Sequence, residues 1–295
     1  MGGKKIGEAI SFPWEDGTPA SMLRSDEWIL PNAFAQGELI RTAYRLLNGE
    51  LRLPGQAKTW TVPLCTLGSL GTLGPDRRDI HDGFELSDHT TPYPAFWSHK
   101  SKDVFTIAQS ANMYLQSLAQ PKPGRKLRLA SSLWPLAGKV LIAERMWLAT
   151  NSLAAIRLEN EVLSNVWWPF RFGVPGLDES KASKALAIWL NSTLGFLIFL
   201  ASREETRGPW IDFKKKALSR LPLLNVAQLS DNDLAYLADT YAEVSRRPLL
   251  PLRRITEDET RMELDRAIAR VCELPDFQVL REMLSREPII SLAPL

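Results

Sequence analysis

The chain has 295 residues, 45% of them apolar, and a formal net charge of +2. That apolar share supports a real core, and the near-neutral balance excludes a protein held on nucleic acid by its overall field, so any such surface is a local patch. Cys65 and Cys272 lie far apart with no pairing pattern, and the N-terminal stretch lacks the apolar segment of a secretory signal, which together point to reduced thiols in the cytoplasm.

Residues 1–30 carry Trp14, Gly17, Pro19 and Trp28 without a sustained period and are expected to form an extended arm. A helix is expected from Pro31-Asn32 to Leu47, with Phe34, Leu39, Ile40, Ala43, Tyr44 and Leu47 on one face and Asn48-Gly49 as its stop. From residue 50 to 172 the texture changes to short β-prone runs between glycines and prolines. Strands are expected at 51–53, 59–63, 139–144, 153–158 and 166–172, with 139–144 an inner strand because it is apolar on both faces. Val104, Ile107, Ala108, Ala111 and Leu115 predict a helix over 102–118. Residues 121–126 form a basic surface loop and a weaker candidate for phosphate contact. Ten tryptophans, among them Trp97, Trp134, Trp147 and the pair Trp167-Trp168, suggest aromatic packing in a β-rich core.

After a Gly/Pro/Asp-rich hinge at 173–181 comes the stretch around which the chain is organised. Ala185 to Ala201 is apolar on every side, which predicts a buried central helix. It is shorter than the ~20 residues of a membrane span and is interrupted by Asn191, Ser192, Thr193 and Gly195. The chain then turns polar from Arg203 to Arg207 and breaks at Gly208-Pro209. A short helix follows, carrying Lys214, Lys215 and Lys216 and ending before Pro222. Trp210 sits between that break and the lysines, where an indole is hard to bury. Helices are expected over 230–246, with Ser230 and Asp233 in a near capping box, over 256–274 capped by Thr256, and over 277–285. An apolar extended tail, 288–295, closes the chain.

The catalytic inventory is notable for what is missing. His81, His89 and His99 have neither ligand spacing nor cysteine partners, so no metal site is expected. There is no nucleophile elbow and no phosphate-loop lysine. Gly68, Gly71 and Gly74 lack the strand–turn–helix context of a dinucleotide loop. Asp76, Asp79, Asp82 and Glu85 cluster without the lysine a nuclease needs, and Arg77-Arg78 sits among them. Adjacent arginines can bond guanine edges or phosphates, with nearby carboxylates orienting their forks. Glu144-Arg145 and Arg157 are read as either a buried pair or the floor of a groove.

Several stretches carry a resemblance. "IWLNSTLGFLIFL" (188–200), "TRGPW" (206–210) and "FKKKALSRLPLLNV" (213–226) resemble the C-terminal target-recognition region of bacterial N6-adenine-specific DNA methyltransferases of the restriction-modification and phage-defence type. "VLIAERMWLATNSLAAIRLENEVLSNVWWPF" (140–170) and "LGPDRRDIHDGFE" (73–85) are similar to the same region. The resemblance runs from about residue 64 to the C-terminus. It implies a non-catalytic module that binds double-stranded DNA and positions a separate methyltransferase domain. S-adenosylmethionine is expected only on that partner, because neither a donor loop nor an Asn/Asp-Pro-Pro-aromatic tetrad is present here. The alternative is a structural or protein-interaction subunit of a phage-defence complex.

The expected architecture is α+β: a mixed, curved β core with a central buried helix and a helical C-terminal subdomain. Its expected division is an arm and helix (1–49), a target-recognition domain (50–225) and a helical subdomain (226–295). The expected DNA-binding residues are Arg77, Arg78, Arg203, Arg207, Trp210, Lys214, Lys215 and Lys216, with no catalytic, cofactor or metal residues.

Overall fold

A computed structural model describes residues 34–98, 103–148, 153–205 and 210–291. The expected arm at 1–30, His99, Arg207 and the Gly208-Pro209 break lie outside the described residues, as does the end of the tail.

In chain order, α1 (Gly37–Leu47) leads to β1 (Glu50–Leu51) and β2 (Trp60–Thr61), then β3 (Leu64–Thr66), the single turn α2 (Leu67–Leu70) and β4 (Gly71–Leu73). Next come α3 (Arg77–Gly83), β5 (Phe84–Ser87), β6 (Tyr93–Phe96), β7 (Ala108–Gln109) and β8 (Met113–Ser117). After α4 (Ala130–Leu133) lie β9 (Gly138–Ala143), β10 (Arg145–Trp147), β11 (Ala155–Ser164) and β12 (Trp167–Phe172). The central segment holds α5 (Glu179–Asn191), α6 (Thr193–Ala201), β13 (Glu204–Glu205), β14 (Trp210–Asp212), α7 (Lys215–Ser219) and β15 (Pro222–Leu224). The remainder is helical: α8 (Asp231–Val244), α9 (Glu259–Val271), α10 (Gln278–Arg286) and the turn α11 (Pro288–Ser291).

The architecture is α+β. An eight-stranded mixed sheet runs β4-β12-β9-β11-β6-β8-β5, with β7 pairing β11 off that path. β9 is the inner strand its sequence predicts: Val140 to Ala143 are all buried, and it pairs antiparallel with β11 on one side and β12 on the other. β11 pairs parallel with β6 and β7, which makes the sheet mixed.

The central apolar run folds as two helices, not the single helix expected. α5 and α6 meet at a 71° bend. Ser192 makes the bend: its extended backbone ends α5, and its Oγ accepts the Gly195 N–H at 3.2 Å to cap α6. Gly195 lies against α5, and a Cβ there would stand 1.9 Å from the Trp189 carbonyl oxygen, so only glycine fits. Asn191 ties the end of α5 to β11, donating to Ala155 O at 2.8 Å and accepting from Ala154 N at 3.0 Å. Thr193 gives its N–H and Oγ1–H to Asp265 of α9 at 2.7 and 2.6 Å, and Arg281 of α10 donates to the same carboxylate at 2.6 Å. Arg261 donates to the Asn191 carbonyl. These interrupting residues are therefore joints in the core. Both helices are buried, and no single helix among the described residues is long and apolar enough to cross a membrane.

Other expectations are corrected by pairing. The 102–118 helix is instead β7 and β8, with β8 held antiparallel between β5 and β6. The helix expected from Thr256 begins at Glu259, where Asp258 accepts the Arg261 N–H at 3.0 Å; a 3-10 segment, Leu252–Glu257, precedes it. Part of the expected extended tail is the helical turn α11. Ser230 caps α8 as expected, accepting from Asp233 N at 3.1 Å and donating to its carboxylate at 2.6 Å.

One apolar cluster extends from Phe34 to Ile290 and takes in α5, α6, the sheet and α8 to α10. The core is thus shared across residue 225. A smaller cluster around Ile80, Phe84 and Leu133 fills the space beneath α3.

Candidate nucleic-acid interface

The stretch from Pro75 to Gly83, whose sequence reads as a loop that contacts DNA or braces it, or else as a solvated turn, is instead largely helical: Pro75 and Asp76 lead directly into α3. Ile80 anchors the helix in the smaller cluster, and Gly83 lets its end pack, since a Cβ there would stand 2.6 Å from Leu133 and 2.7 Å from the Arg128 carbonyl. Asp79 and Asp82 do not orient Arg77 and Arg78 as expected. Asp79 pairs with Arg128 at 3.1 Å, and Asp82 accepts from Arg125 at 2.9 Å. The basic loop is thereby pinned to α3, helped by Lys122, which donates to the His81 carbonyl at 2.6 Å. The Arg125 hydrogen bond holds the Asp82 carboxyl below its usual range. Burial pushes His81 down, with Arg77, Lys122 and Arg125 adding to the effect. A neutral imidazole suits the observed bond, in which Arg77 Nε donates to His81 Nε2 at 3.4 Å. Arg77 and Arg78 are both exposed.

The lysine helix is held from beneath. Phe213, buried just before it, stacks on Phe199 of α6 with ring centres 3.8 Å apart. Leu218 and Leu221 are buried on its inner side. The central apolar run therefore supports the basic helix directly. Lys214, Lys215 and Lys216 are exposed, yet Lys215 also bends inward and donates to Gly74 O at 2.8 Å. Its ammonium lies 5.9 Å from the Trp168 ring centre. This bond joins the lysine helix to the segment between β4 and α3. Beside it lies a cleft of about 600 Å³ whose lining includes Leu67, Gly71, Leu73, Leu136, Lys215 and Lys216.

A three-stranded sheet, β10-β14-β13, adjoins this region. Strand alternation buries Met146 and Ile211 and turns Arg145, Trp147, Trp210 and Asp212 the other way. Arg145 grips Asp212 with two hydrogen bonds, Nε at 2.7 Å and Nη2 at 3.3 Å. The Trp147 and Trp210 rings are 5.8 Å apart and tilted 49°, and each indole is 37% exposed. The Phe213 N–H bonds the Glu144 carbonyl at 2.8 Å, linking this sheet to the lysine helix. Burial raises the Glu144 carboxyl, opposed by Arg145 and Arg77 and reinforced by Asp212 and Asp76. Glu144 thus stands within the fields of both the α3 turn and the three-stranded sheet.

Of the expected site residues, the fold gathers Arg77, Trp210, Lys214, Lys215 and Lys216 into one neighbourhood, with Arg78 beside Arg77 on the same short helix. Arg203 is not among them. It is buried, donating Nη1 to the Leu200 carbonyl at 2.9 Å near the C-terminal end of α6, with Phe34 5.9 Å away. It is a helix-end anchor. Arg207 lies outside the described residues. Arg157 belongs to the core: it donates to Ser183 Oγ at 3.0 Å and to Glu159 at 2.9 Å, over the Tyr241 ring. Trp147 is not among the residues expected from sequence, which groups it with the core aromatics; Arg145, read with Glu144 and Arg157 as a buried pair or a groove floor, is exposed and pairs with Asp212 instead. The signal is present in two short alternating runs, RMW and WID, whose polar and aromatic positions fall on one face only once β10 and β14 pair. Among the described residues, no group of three or more His, Cys, Asp or Glu side chains is placed to hold a metal ion.

In comparison with known proteins, no protein-family model matches this chain and no curated protein matches it.

Proposed function

We propose that this chain is a DNA sequence-recognition module of a bacterial restriction-modification or phage-defence system, acting in the cytoplasm. It binds duplex DNA and positions a separate adenine-methyltransferase domain, which carries the S-adenosylmethionine and the chemistry. The observation that carries this is the Lys215–Gly74 hydrogen bond. The segment leading into the Arg77-Arg78 helix and the trilysine segment 141 residues away, each resembling part of a methyltransferase target-recognition region, meet on one surface. The division of labour follows from chemistry. Lys214 and Lys216 are exposed point charges suited to phosphates, whereas the planar forks of Arg77 and Arg78 can read guanine edges.

Lys215 has a bracing bond and is best left intact in a test. Replacing Lys214 and Lys216 together with alanine should weaken binding to all duplexes about equally. The slope of log affinity against log salt should flatten by roughly two, at about 0.9 for each phosphate no longer neutralised. Titration of a labelled random duplex between low and moderate salt provides the measurement. An unchanged slope would make the lysines a solvated face. Absence of binding to any duplex would favour the protein-interaction subunit.

A further inference from the structure

We infer that the outer face of the β10–β14 pair is a stacking platform for an unstacked nucleobase, so that this protein prefers DNA carrying one extrahelical base over the same continuous duplex. The inference rests on the DNA-binding function proposed above and names the feature of DNA that this part of the surface takes. Trp147 and Trp210 are directly opposed in the antiparallel register. Their inward neighbours Met146 and Ile211 already supply the apolar packing that holds this small sheet to the core. Two large indoles stand on the other face, partly exposed. Their 49° tilt prevents them from covering one another flat, and each keeps 37% of its surface open.

The surrounding charge selects the occupant. Arg145 lies 6.0 Å from the Trp210 ring centre, its planar fork fixed by the two bonds to Asp212, so a flat cation stands beside a flat aromatic. Lys214 and Lys216 are exposed a few residues along the same segment, and Arg77 lies within the field of Glu144 next to Arg145. Sugars and proline-rich peptides also stack on indoles, but neither has use for a surrounding set of cations. A nucleotide offers both a ring face and a phosphate.

The test uses two duplexes of one sequence, one continuous with 2-aminopurine paired in the stack, the other with 2-aminopurine as a single-nucleotide bulge. Stacking on an aromatic side chain corresponds to a preference of about five-fold or more for the bulged DNA. Binding should also quench the extrahelical 2-aminopurine, as it passes from a mobile position onto an indole. Trp210→Leu should abolish both the preference and the quenching, whatever its effect on affinity for continuous duplex, and Trp210→Phe should restore part of each. Equal affinities with no quenching by the wild-type protein would overturn the proposal and leave the indoles as a cross-strand brace. That comparison needs no variant, so a misfolded mutant cannot obscure it. Failure to bind either duplex would instead remove the DNA-binding function itself.

Discussion

Glu144 shows how a single carboxyl records the geometry of the candidate site. It lies between Ala143, at the end of an inner strand, and Arg145, at the start of the exposed sheet, half-buried and with two like charges in reach. Its carboxyl is raised chiefly by burial, so the protonated form is favoured by the fold. The associated stability is complete below the ordinary value of 4.5 and is lost as pH rises through the raised folded value. At neutral pH the fold therefore works against ionisation of this carboxyl. Glu144→Gln should raise the melting temperature at neutral pH, each kcal/mol gained appearing as roughly 2–4 °C. The difference should close towards about pH 4, where the native glutamate is itself largely protonated. Melting curves at both pH values decide this; no gain at neutral pH would mean that Arg145 and Arg77 fully offset the burial. The same neighbourhood separates the two adjacent arginines. Arg77 is steered by His81 and lies in the field of Glu144, whereas Arg78 lies in that of Asp82.

At the scale of elements, the α5–α6 bend governs how the basic surface is held, because α6 carries Phe199, on which the lysine helix rests. Gly195 is its tightest point. Gly195→Ala would force the new methyl against a backbone carbonyl rather than a movable side chain, costing about 3 kcal/mol or more. The melting temperature should fall by at least roughly 6 °C. A variant that melts like the wild type would mean that the helices can part at this joint without penalty. Much of this element was legible in the sequence: its apolar run, its burial and the lysine helix beyond it. The bend was not, because Asn191, Ser192 and Thr193 draw on partners far along the chain; Asp265 and Arg261 lie about 70 residues further on. The expected helix at 102–118 fails for a related reason. Over so short a stretch helical and strand spacings overlap, and pairing with β5 and β6 settles the matter. In the site, the lysines and Trp210 could be picked out from composition and turn position alone. Trp147 could not, and Arg145 only as one of two open readings, since the face they share with Trp210 exists only after two distant strands pair.

On the scale of the whole molecule, the helical C-terminal part completes the core rather than standing apart from it. α8 packs along α5, and Leu237, Val244, Leu264 and Ile268 share one cluster with the sheet. The polar joints cross the same boundary. Asp265 and Arg261 satisfy the Thr193 N–H and the Asn191 carbonyl, and without α9 both groups would remain at the α5–α6 bend with no protein partner. Each hydrogen bond to a charged partner lost with α9 costs about 1.5–3 kcal/mol, and each large apolar side chain uncovered adds about as much. A few such losses equal the ~5–15 kcal/mol by which a domain is stable. The described part of the chain should therefore unfold as one unit, in a single heat-absorption peak whose calorimetric and van't Hoff enthalpies agree. A chain ending at residue 225 should fail to fold, although it retains every strand among the described residues and the candidate DNA surface described above. Two resolved transitions, or a cooperatively melting truncated chain that still binds duplex DNA, would show instead that residues 50–225 are an autonomous recognition domain with a helical appendage. The first outcome carries a functional consequence. A surface whose lysine helix and indole sheet are fixed to the large cluster, and whose arginine helix sits on the smaller one and is tied to them through the Lys215–Gly74 bond, meets DNA pre-organised, and substitutions in α9 should weaken DNA binding only to the extent that they unfold the protein.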